Sequence, residues 1–196
     1  MSWEEVRLGD MCNKDIMNIS SDQNAEMVYI DISSIDNVTK RIVTTRIIPI
    51  KGAPSRAKQL ILPKDVILST VRPNLNAVAI YETESYIPVV ASTGFCVLRC
   101  KDELDYKYLF QFCLTDTVIN ILTEIAKGSS YPAVINSDVY NLKIPLPPLD
   151  EQRRIATEIE CQFALAEKTI TAIQSQLNTI NALPAAILRQ AFSGHM

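Results

Sequence analysis

The sequence predicts an α+β fold with a β-rich mixed domain over residues 1–148, followed by one long coiled-coil α-helix over residues 149–196. Three observations predict this division. Short runs of β-branched residues crowd the first hundred positions, three prolines stand between residues 145 and 148, and an apolar heptad pattern fills most of the remaining chain.

Short strands are predicted where β-branched and aromatic residues are concentrated between turn residues. The clearest candidates are residues 27–32 (MVYIDI) and 42–50 (IVTTRIIPI). The runs 66–71 and 77–81 flank Arg72-Pro73-Asn74, whose turn-forming residues predict a hairpin or a tight corner. Residues 94–99 (GFCVLR) form a further candidate strand.

Two helices are predicted after these strands. Within residues 104–114, Leu104, Tyr108 and Phe112 recur at helical spacing, and residues 118–125 place their apolar side chains on one face. Pro145, Pro147 and Pro148 then interrupt regular structure, and Asp150 is a suitable N-cap for the helix that follows.

The long helix carries an apolar seam with alternating steps of three and four residues. Ten of its eleven positions are apolar residues other than proline, which is typical of a coiled coil. Pro184 is expected to kink the helix or to begin a separate end at residues 185–192, because an interior proline costs about 3 kcal/mol. The seam consists of Ala156, Ile159, Phe163, Ala166, Ile170, Ile173, Leu177, Ile180, Pro184, Ile187 and Ala191.

A helix of this size reaches roughly 65 Å at about 1.5 Å per residue. One small domain is too narrow to cover such a stripe, and the chain has no other helix of comparable length. The pattern therefore predicts a homodimer through the residues from Ile159 to Ile187. The alternative is an amphipathic helix folded back on its own domain.

Charge is distributed unevenly along the chain. Residues 37–64 contain seven lysines and arginines and no acidic residue; since the whole chain has a net charge of −3, the remaining residues together carry −10. A basic patch on an acidic protein attracts a polyanion to one face. The alternative is a solvated basic loop.

Motifs for catalysis, cofactors or metals are missing from the sequence. The single histidine is His195, the five glycines are not clustered, and no pair of the five cysteines has CxxC spacing. We expect no catalytic residue, no cofactor and no metal, and interpret the cysteines as small buried apolar groups. The acidic N-terminus and the lack of an apolar run of about 20 residues predict a cytoplasmic protein without a membrane span.

Several segments resemble one known family. The most specific is 144–156 (IPLPPLDEQRRIA), followed by the long helix and its closing residues 188–194 (LRQAFSG). Residues 3–10, 64–74, 91–98 and 128–134 extend the similarity over nearly the whole chain. On these motifs the chain resembles the specificity subunit of type I restriction-modification systems.

The resemblance implies a target recognition domain that binds double-stranded DNA, and a helix that spaces two such domains. Members of the family typically carry two domains and two antiparallel helices, whereas this chain has one of each. It is therefore a natural half-subunit or half of a longer protein. Two copies are then expected to read a split, symmetric site with half-sites about 34 Å apart. The resemblance also implies docking to adenine methyltransferase subunits and to a restriction subunit.

Ten residues are predicted to contact DNA. Arg56 suits a bidentate contact to guanine or a plain phosphate contact, and Asn74 suits adenine or simple turn formation. Arg153 and Arg154 are interpreted instead as a solvated or partner-facing pair. The predicted contacts form a basic loop, a corner and a later segment: Lys51, Arg56 and Lys58; Thr70, Arg72 and Asn74; Lys127, Ser129, Ser130 and Tyr131.

Two other functional classes compete with DNA recognition. A coiled-coil adaptor would use the basic window to bind an acidic protein partner, and its binding would show no preference for one DNA sequence. A small nuclease would cleave DNA alone with a metal ion, but the sequence lacks the clustered carboxylates that this chemistry needs.

Overall fold

The computed structural model describes residues 3–20, 25–127 and 132–193. The chain forms two compact units, Met1–Ile155 and Ala156–Met196. We call them the head and the helical unit. The division lies inside the last helix, seven residues beyond the predicted boundary at residue 148, because the first turns of that helix belong to the head.

Two four-stranded sheets form the centre of the head. The first has the order β6-β3-β10-β7, with β10 parallel to β3 and the other neighbours antiparallel. The second has the order β2-β11-β8-β9 and is antiparallel throughout. The strands of the first sheet are β3 (Glu26–Ile30), β6 (Arg46–Pro49), β7 (Ala57–Leu60) and β10 (Val89–Ser92). Those of the second are β2 (Cys12–Asn13), β8 (Val66–Ser69), β9 (Val78–Ile80) and β11 (Phe95–Cys100).

Four short strands pair outside these sheets. β1 (Glu5–Arg7) pairs with β12 (Lys143–Pro145), and β4 (Ile35–Asp36) pairs with β5 (Arg41–Ile42). The predicted strand 42–50 is thus divided between β5 and β6. The division follows from hydrogen bonding: the amides of Val43 and Thr44 donate to the Ser34 carbonyl, so the chain leaves the small hairpin before it joins the larger sheet.

The core is built on both faces of the first sheet. Alternate residues of a strand point to opposite faces, and accordingly Ile30 and Ala91 pack in one cluster with Phe95 of β11, whereas Met27 and Val90 pack in a second cluster. Both clusters consist of fully or nearly fully buried side chains. The β-rich head therefore has a core of its own.

Four helices surround the sheets or follow them. Asp105 and Thr115 cap the N-termini of α2 and α3 with their side chains, which satisfies amides that the helices leave free. No single described helix is long and apolar enough to span a membrane, and only α2 and α3, bent by 59°, pass that test as a pair. The bounds are α1 (Leu8–Met11), α2 (Tyr106–Cys113), α3 (Asp116–Ala126) and α4 (Asn136–Tyr140).

The last helix, α5 (Leu149–Phe192), is continuous. The expectation that Pro184 separates a distinct end is wrong, because the helix runs through this proline and ends at Phe192. Asp150 is not the N-cap; it lies in the first turn, since the helix already begins at Leu149.

The cysteines differ in their surroundings. Cys12, Cys96 and Cys113 are buried, as interpreted from the sequence, but Cys161 is exposed on α5. Burial raises the pKa of the Cys96 thiol to about 12, so this thiol stays protonated at neutral pH. Among the described residues no group of cysteines, histidines or carboxylates is arranged to hold a metal ion.

Candidate nucleic-acid interface

The predicted basic loop crosses one face of the first sheet between β6 and β7. Gly52 takes the left-handed conformation with φ +84°, which favours glycine. Ile50 is buried and anchors one end of the loop. Lys51 and Arg56 are exposed in the loop and Lys58 is exposed on β7, and among the described residues none of these three cations forms an ion pair.

The tight turn between β10 and β11 joins this loop to the centre of the head. The Thr93 amide donates to the Arg56 carbonyl at 2.8 Å. The buried Gln59 amide donates to the carbonyls of Ser92 and Phe95, both at 2.9 Å. A Cβ atom on Gly94 would lie 2.9 Å from Ile32, so only glycine fits this position without movement.

Thr70 links that turn to the predicted corner. Its amide and its hydroxyl both donate to the Gly94 carbonyl, at 2.9 and 3.0 Å, and its own carbonyl accepts from the Val134 amide. Thr70 is only 6% exposed. With its hydroxyl used and its side chain buried, Thr70 supports the corner, and we leave it out of the proposed DNA contacts.

The corner connects β8 to β9, which form an antiparallel pair. A hairpin or tight corner was predicted at this position. Arg72 and Asn76 both adopt left-handed backbone conformations, with φ values of 49° and 45°, around a 3₁₀ turn at Pro73–Leu75. Such conformations are costly for residues other than glycine and persist only where the surroundings hold them. Ser69 contributes by accepting from the Val71 amide through its hydroxyl oxygen.

The residues directly after the predicted segment that follows α3 lie against this corner. The Arg72 amide donates to the Pro132 carbonyl at 2.8 Å, and Val71 forms an isolated antiparallel bridge with Ala133. Lys127 is exposed at the end of α3, where it pairs with the Glu124 carboxylate. The remaining predicted contacts of this segment, Ser129, Ser130 and Tyr131, lie outside the described residues.

Backbone hydrogen bonds therefore join the predicted loop, the predicted corner and the residues that follow the third predicted segment into one continuous surface, which we call the rim. In order, the carbonyls of Arg56, Gly94, Thr70 and Pro132 each accept from the neighbouring segment. Arg72 and Asn74 are exposed on the corner of this rim. The rim comprises residues 51–58, 92–94, 70–76 and 132–134.

Not every cation of the basic window lies on the rim. Lys64 precedes β8 and lies 5.9 Å from the Tyr106 ring, whereas the corner follows the other end of that strand. Eight residues of extended chain span roughly 25 Å. Lys64 is therefore well separated from Arg72 and is not part of the rim.

Two residues that the sequence did not single out hold functional segments in place. The half-buried Lys40 ammonium donates to the Asn76 carbonyl at 2.6 Å, on the corner. At the start of α5, the fully buried Gln152 amide donates to the carbonyls of Glu103 and Pro147 and accepts from the Asp105 amide. The latter contacts fix the Pro-rich junction and the first turns of α5 within the head.

Arg153 and Arg154, which the sequence suggested are a solvated or partner-facing pair, form local ion pairs near the start of α5. Arg154 makes a bidentate contact with Glu151 at 2.8 Å, and Arg153 lies 3.7 Å from Asp105 and 3.8 Å from Asp150. Both arginines are exposed, so these contacts orient the first turns of α5 more than they stabilise the fold.

In the helical unit, the predicted seam is largely uncovered. The exposed fraction is 57% for Phe163, 66% for Ile170 and 47% for Leu177, and Ile173, Ile180 and Ile187 are exposed to a similar degree. Ile159 is half-buried and Ala166 is exposed. An exposed stripe of large apolar side chains is typical of a protein–protein interface.

The family profile of the type I restriction modification DNA specificity domain matches residues 1–182. The chain belongs to this family. The predicted resemblance is thereby confirmed, and so is the predicted fold class, because solved members of the family share the β-rich domain and the long helix.

Two solved structures resemble this specificity domain over nearly its whole length. The HsdS subunit from Thermoanaerobacter tengcongensis is 35% identical, with a TM-score of 0.81 over 97% of this chain and 48% of its own. A chain from a structure on complex assembly and conformational transition of the type I R-M system is also 35% identical. Its TM-score is 0.79 over 99% of this chain and 49% of its own.

Curated relatives point to the same family. The EcoDI specificity subunit of Escherichia coli is 27% identical over 143 residues, which are 71% of this chain and 30% of that protein. The putative MjaX specificity subunit of Methanocaldococcus jannaschii is 24% identical over 97% of this chain and 45% of its own length. The chain thus spans less than half the length of these relatives. All are specificity subunits, in agreement with the prediction of a non-catalytic chain.

Proposed function

We propose that this specificity domain recognises double-stranded DNA through the rim, as the sequence-reading subunit of a type I restriction-modification complex. The observation that carries the proposal is that hydrogen bonds through the turn at Gly94 connect the predicted basic loop and the predicted corner into one surface. Lys51, Arg56 and Lys58 supply charge at one part of it, and Arg72 and Asn74 stand on a rigid corner at another.

In this proposal the two parts of the rim have different roles. Lysines and arginines in the loop contact phosphates, which provides affinity without sequence information. Arg72 and Asn74 reach base edges, since arginine pairs well with guanine and asparagine with adenine in the major groove. The strained corner supports this assignment, because a fixed backbone orients both side chains before DNA arrives.

We further propose that α5 pairs with a second copy through the seam, with antiparallel helices. The seam residues are Ile159, Phe163, Ala166, Ile170, Ile173, Leu177, Ile180 and Ile187. A closed two-fold pair buries the same stripe on both chains and presents two heads to one DNA. Such a pair would read a symmetric, interrupted site in the cytoplasm and would dock adenine methyltransferase and restriction subunits.

DNA recognition is tested by measuring the affinity of the purified full chain for duplexes enriched from a random pool, against unrelated competitor DNA. With phosphate contacts from Lys51, Arg56 and Lys58, the affinity of each head should fall roughly 40-fold between 50 and 200 mM salt. Preference for the enriched sequence should persist. Weak salt dependence together with no preference would instead support the coiled-coil adaptor, in which the head binds a protein.

A further inference from the structure

Residues 36–47 form an element of mostly exposed side chains that none of the predicted contacts includes. β4 and β5 are joined by a turn in which the Asp36 carboxylate accepts from the amides of Val38 at 2.7 Å and Thr39 at 3.0 Å. The Lys40 amide donates to the Asp36 carbonyl at 2.8 Å, and Lys40 takes a left-handed conformation with φ 56°. The turn is therefore held by its own hydrogen bonds.

The Lys40 side chain connects this hairpin to the rim. Its ammonium donates at 2.6 Å to the carbonyl of Asn76, which closes the corner that carries Arg72 and Asn74. Burial lowers the pKa of Lys40, while the neighbouring Asp36 carboxylate acts in the opposite direction. An ammonium that is half-buried and already bonded to a carbonyl is better placed to support a neighbouring segment than to contact a ligand.

Apart from the Asp36 carboxylate, which accepts hydrogen bonds within the turn, the side chains that flank Lys40 carry no negative charge. Arg41 and Arg46 are exposed, as are both threonines of the segment between them, and residues 37–64 contain no acidic residue. Hydroxyl groups and guanidinium groups are the donors that commonly bind phosphate oxygens. The composition of this surface therefore matches that of the loop on the rim.

Strand register places Arg46 at the same end of the first sheet as Arg56 and Ser92 of the rim, whereas Lys51 follows the other end of β6. Arg46 pairs with Tyr29 at the end of β3, and at that end of the sheet Ser92 pairs with Ala57 at the start of β7. Since β6 and β7 are the two edges of a four-stranded sheet, they are about 14 Å apart. Cations thus flank this end on both edges, at a separation similar to the roughly 12 Å width of the major groove.

We propose that residues 37–47 form a second DNA-contacting element, in which Arg41 and Arg46 bind phosphates and Lys40 is a positioning residue that holds the element against the corner. This inference rests on the proposed DNA recognition and extends it to the hairpin that contacts the corner through Lys40. Lys40 acts on specificity through the Asn76 carbonyl and not through DNA itself.

The test compares salt dependence and sequence preference of variants with those of the wild-type chain. The Arg41→Ala/Arg46→Ala double variant should reduce the slope of log affinity against log salt by about 1.8 for each head bound, since each phosphate contact contributes about 0.9. Lys64→Ala removes a cation of the same basic window that lies away from the rim. This matched control should keep the wild-type slope.

Lys40→Met keeps the length of the side chain but removes the donor to Asn76. It should retain the wild-type salt slope and lose at least tenfold in preference for the enriched sequence over competitor DNA. Lys40→Arg, which keeps a donor, should recover part of that preference. A lower salt slope for Lys40→Met would show that Lys40 itself contacts phosphate, and would overturn the positioning role.

The two proposals fail in different ways. If the wild-type chain shows no salt-dependent, sequence-selective binding, DNA recognition itself is wrong. If the wild-type chain binds selectively and Arg41→Ala/Arg46→Ala keeps its slope, the rim stands and the second element is wrong. Both arginines are exposed, so the double variant tests the inference even if Lys40→Met does not fold.

Discussion

In the head, Leu8, Met27 and Phe95 are fully buried, whereas in the helical unit Phe163 and Ile170 are more than half exposed. The head also satisfies its polar groups internally: among the described residues the only buried side-chain oxygen or nitrogen without a partner is Thr123 Oγ1. The head therefore has the interior of an independently folded domain. The helical unit instead exposes an apolar stripe, which we propose a second copy covers.

The difference teaches which kind of residue carries each role. In the head, function depends on polar groups that are held in place by neighbours distant in sequence. In the helical unit, the proposed pairing depends on a repeating apolar pattern more than on any single side chain. Substitutions should therefore separate assembly, folding and recognition from one another.

The largest effect is expected on the seam. Ile173→Glu/Leu177→Glu places four charges in the interface of a two-fold pair, and burial of unpaired charge should weaken dimerisation by at least about 100-fold. Analytical ultracentrifugation measures the change. Ser175→Glu/Thr179→Glu adds the same charge at the same four-residue spacing on the opposite face of the helix and should leave dimerisation nearly unchanged. Equal solution mass for the wild-type and seam variants would contradict the pairing.

The next effect is expected at the junction. Gln152→Leu keeps the size of the side chain but leaves the Asp105 amide and two carbonyls without partners, at a cost of about 1–3 kcal/mol in the free energy of unfolding of the head. Chemical denaturation measures this loss. Gln174→Leu, at an exposed position of α5, is the matched control. An unchanged unfolding free energy for Gln152→Leu would show that its contacts do not stabilise the head.

A loss of similar size is expected at the corner, but in the free energy of DNA binding and not in the free energy of unfolding. Arg72→Ala should reduce binding of the enriched duplex by about 1–3 kcal/mol and relax preference at one base position. Lys51→Ala should instead weaken binding to all sequences alike and lower the salt slope by about 0.9 for each head bound. Together the two variants separate the rim residues that contact bases from those that contact phosphates. Identical profiles for both would contradict that division.

The smallest effect is expected at Thr70. Thr70→Val preserves the shape of the side chain and removes one hydrogen bond to the Gly94 carbonyl, so the unfolding free energy should fall by about 1 kcal/mol. The salt slope should stay at the wild-type value, because Thr70 is buried. A change in the salt slope would show that Thr70 does contact DNA.

The sequence predicted the parts of this molecule that depend on local pattern. The heptad spacing marked the seam, and Pro73 marked the corner between β8 and β9. What it missed depends on contacts between distant residues. Lys40 and Asn76 are 36 positions apart and Gln152 and Asp105 are 47 apart, and no spacing rule connects them. The continuation of α5 through Pro184 also differs from the local expectation that a proline ends a helix.

The most direct measurement of the central claim combines the solution mass of the full chain with selection of its binding site from random duplex DNA. Two copies joined by the seam should give twice the chain mass and select an inverted repeat whose halves are separated by a fixed spacer. A particle of one chain mass that selects a single uninterrupted half-site would contradict the claim that two heads read one site together.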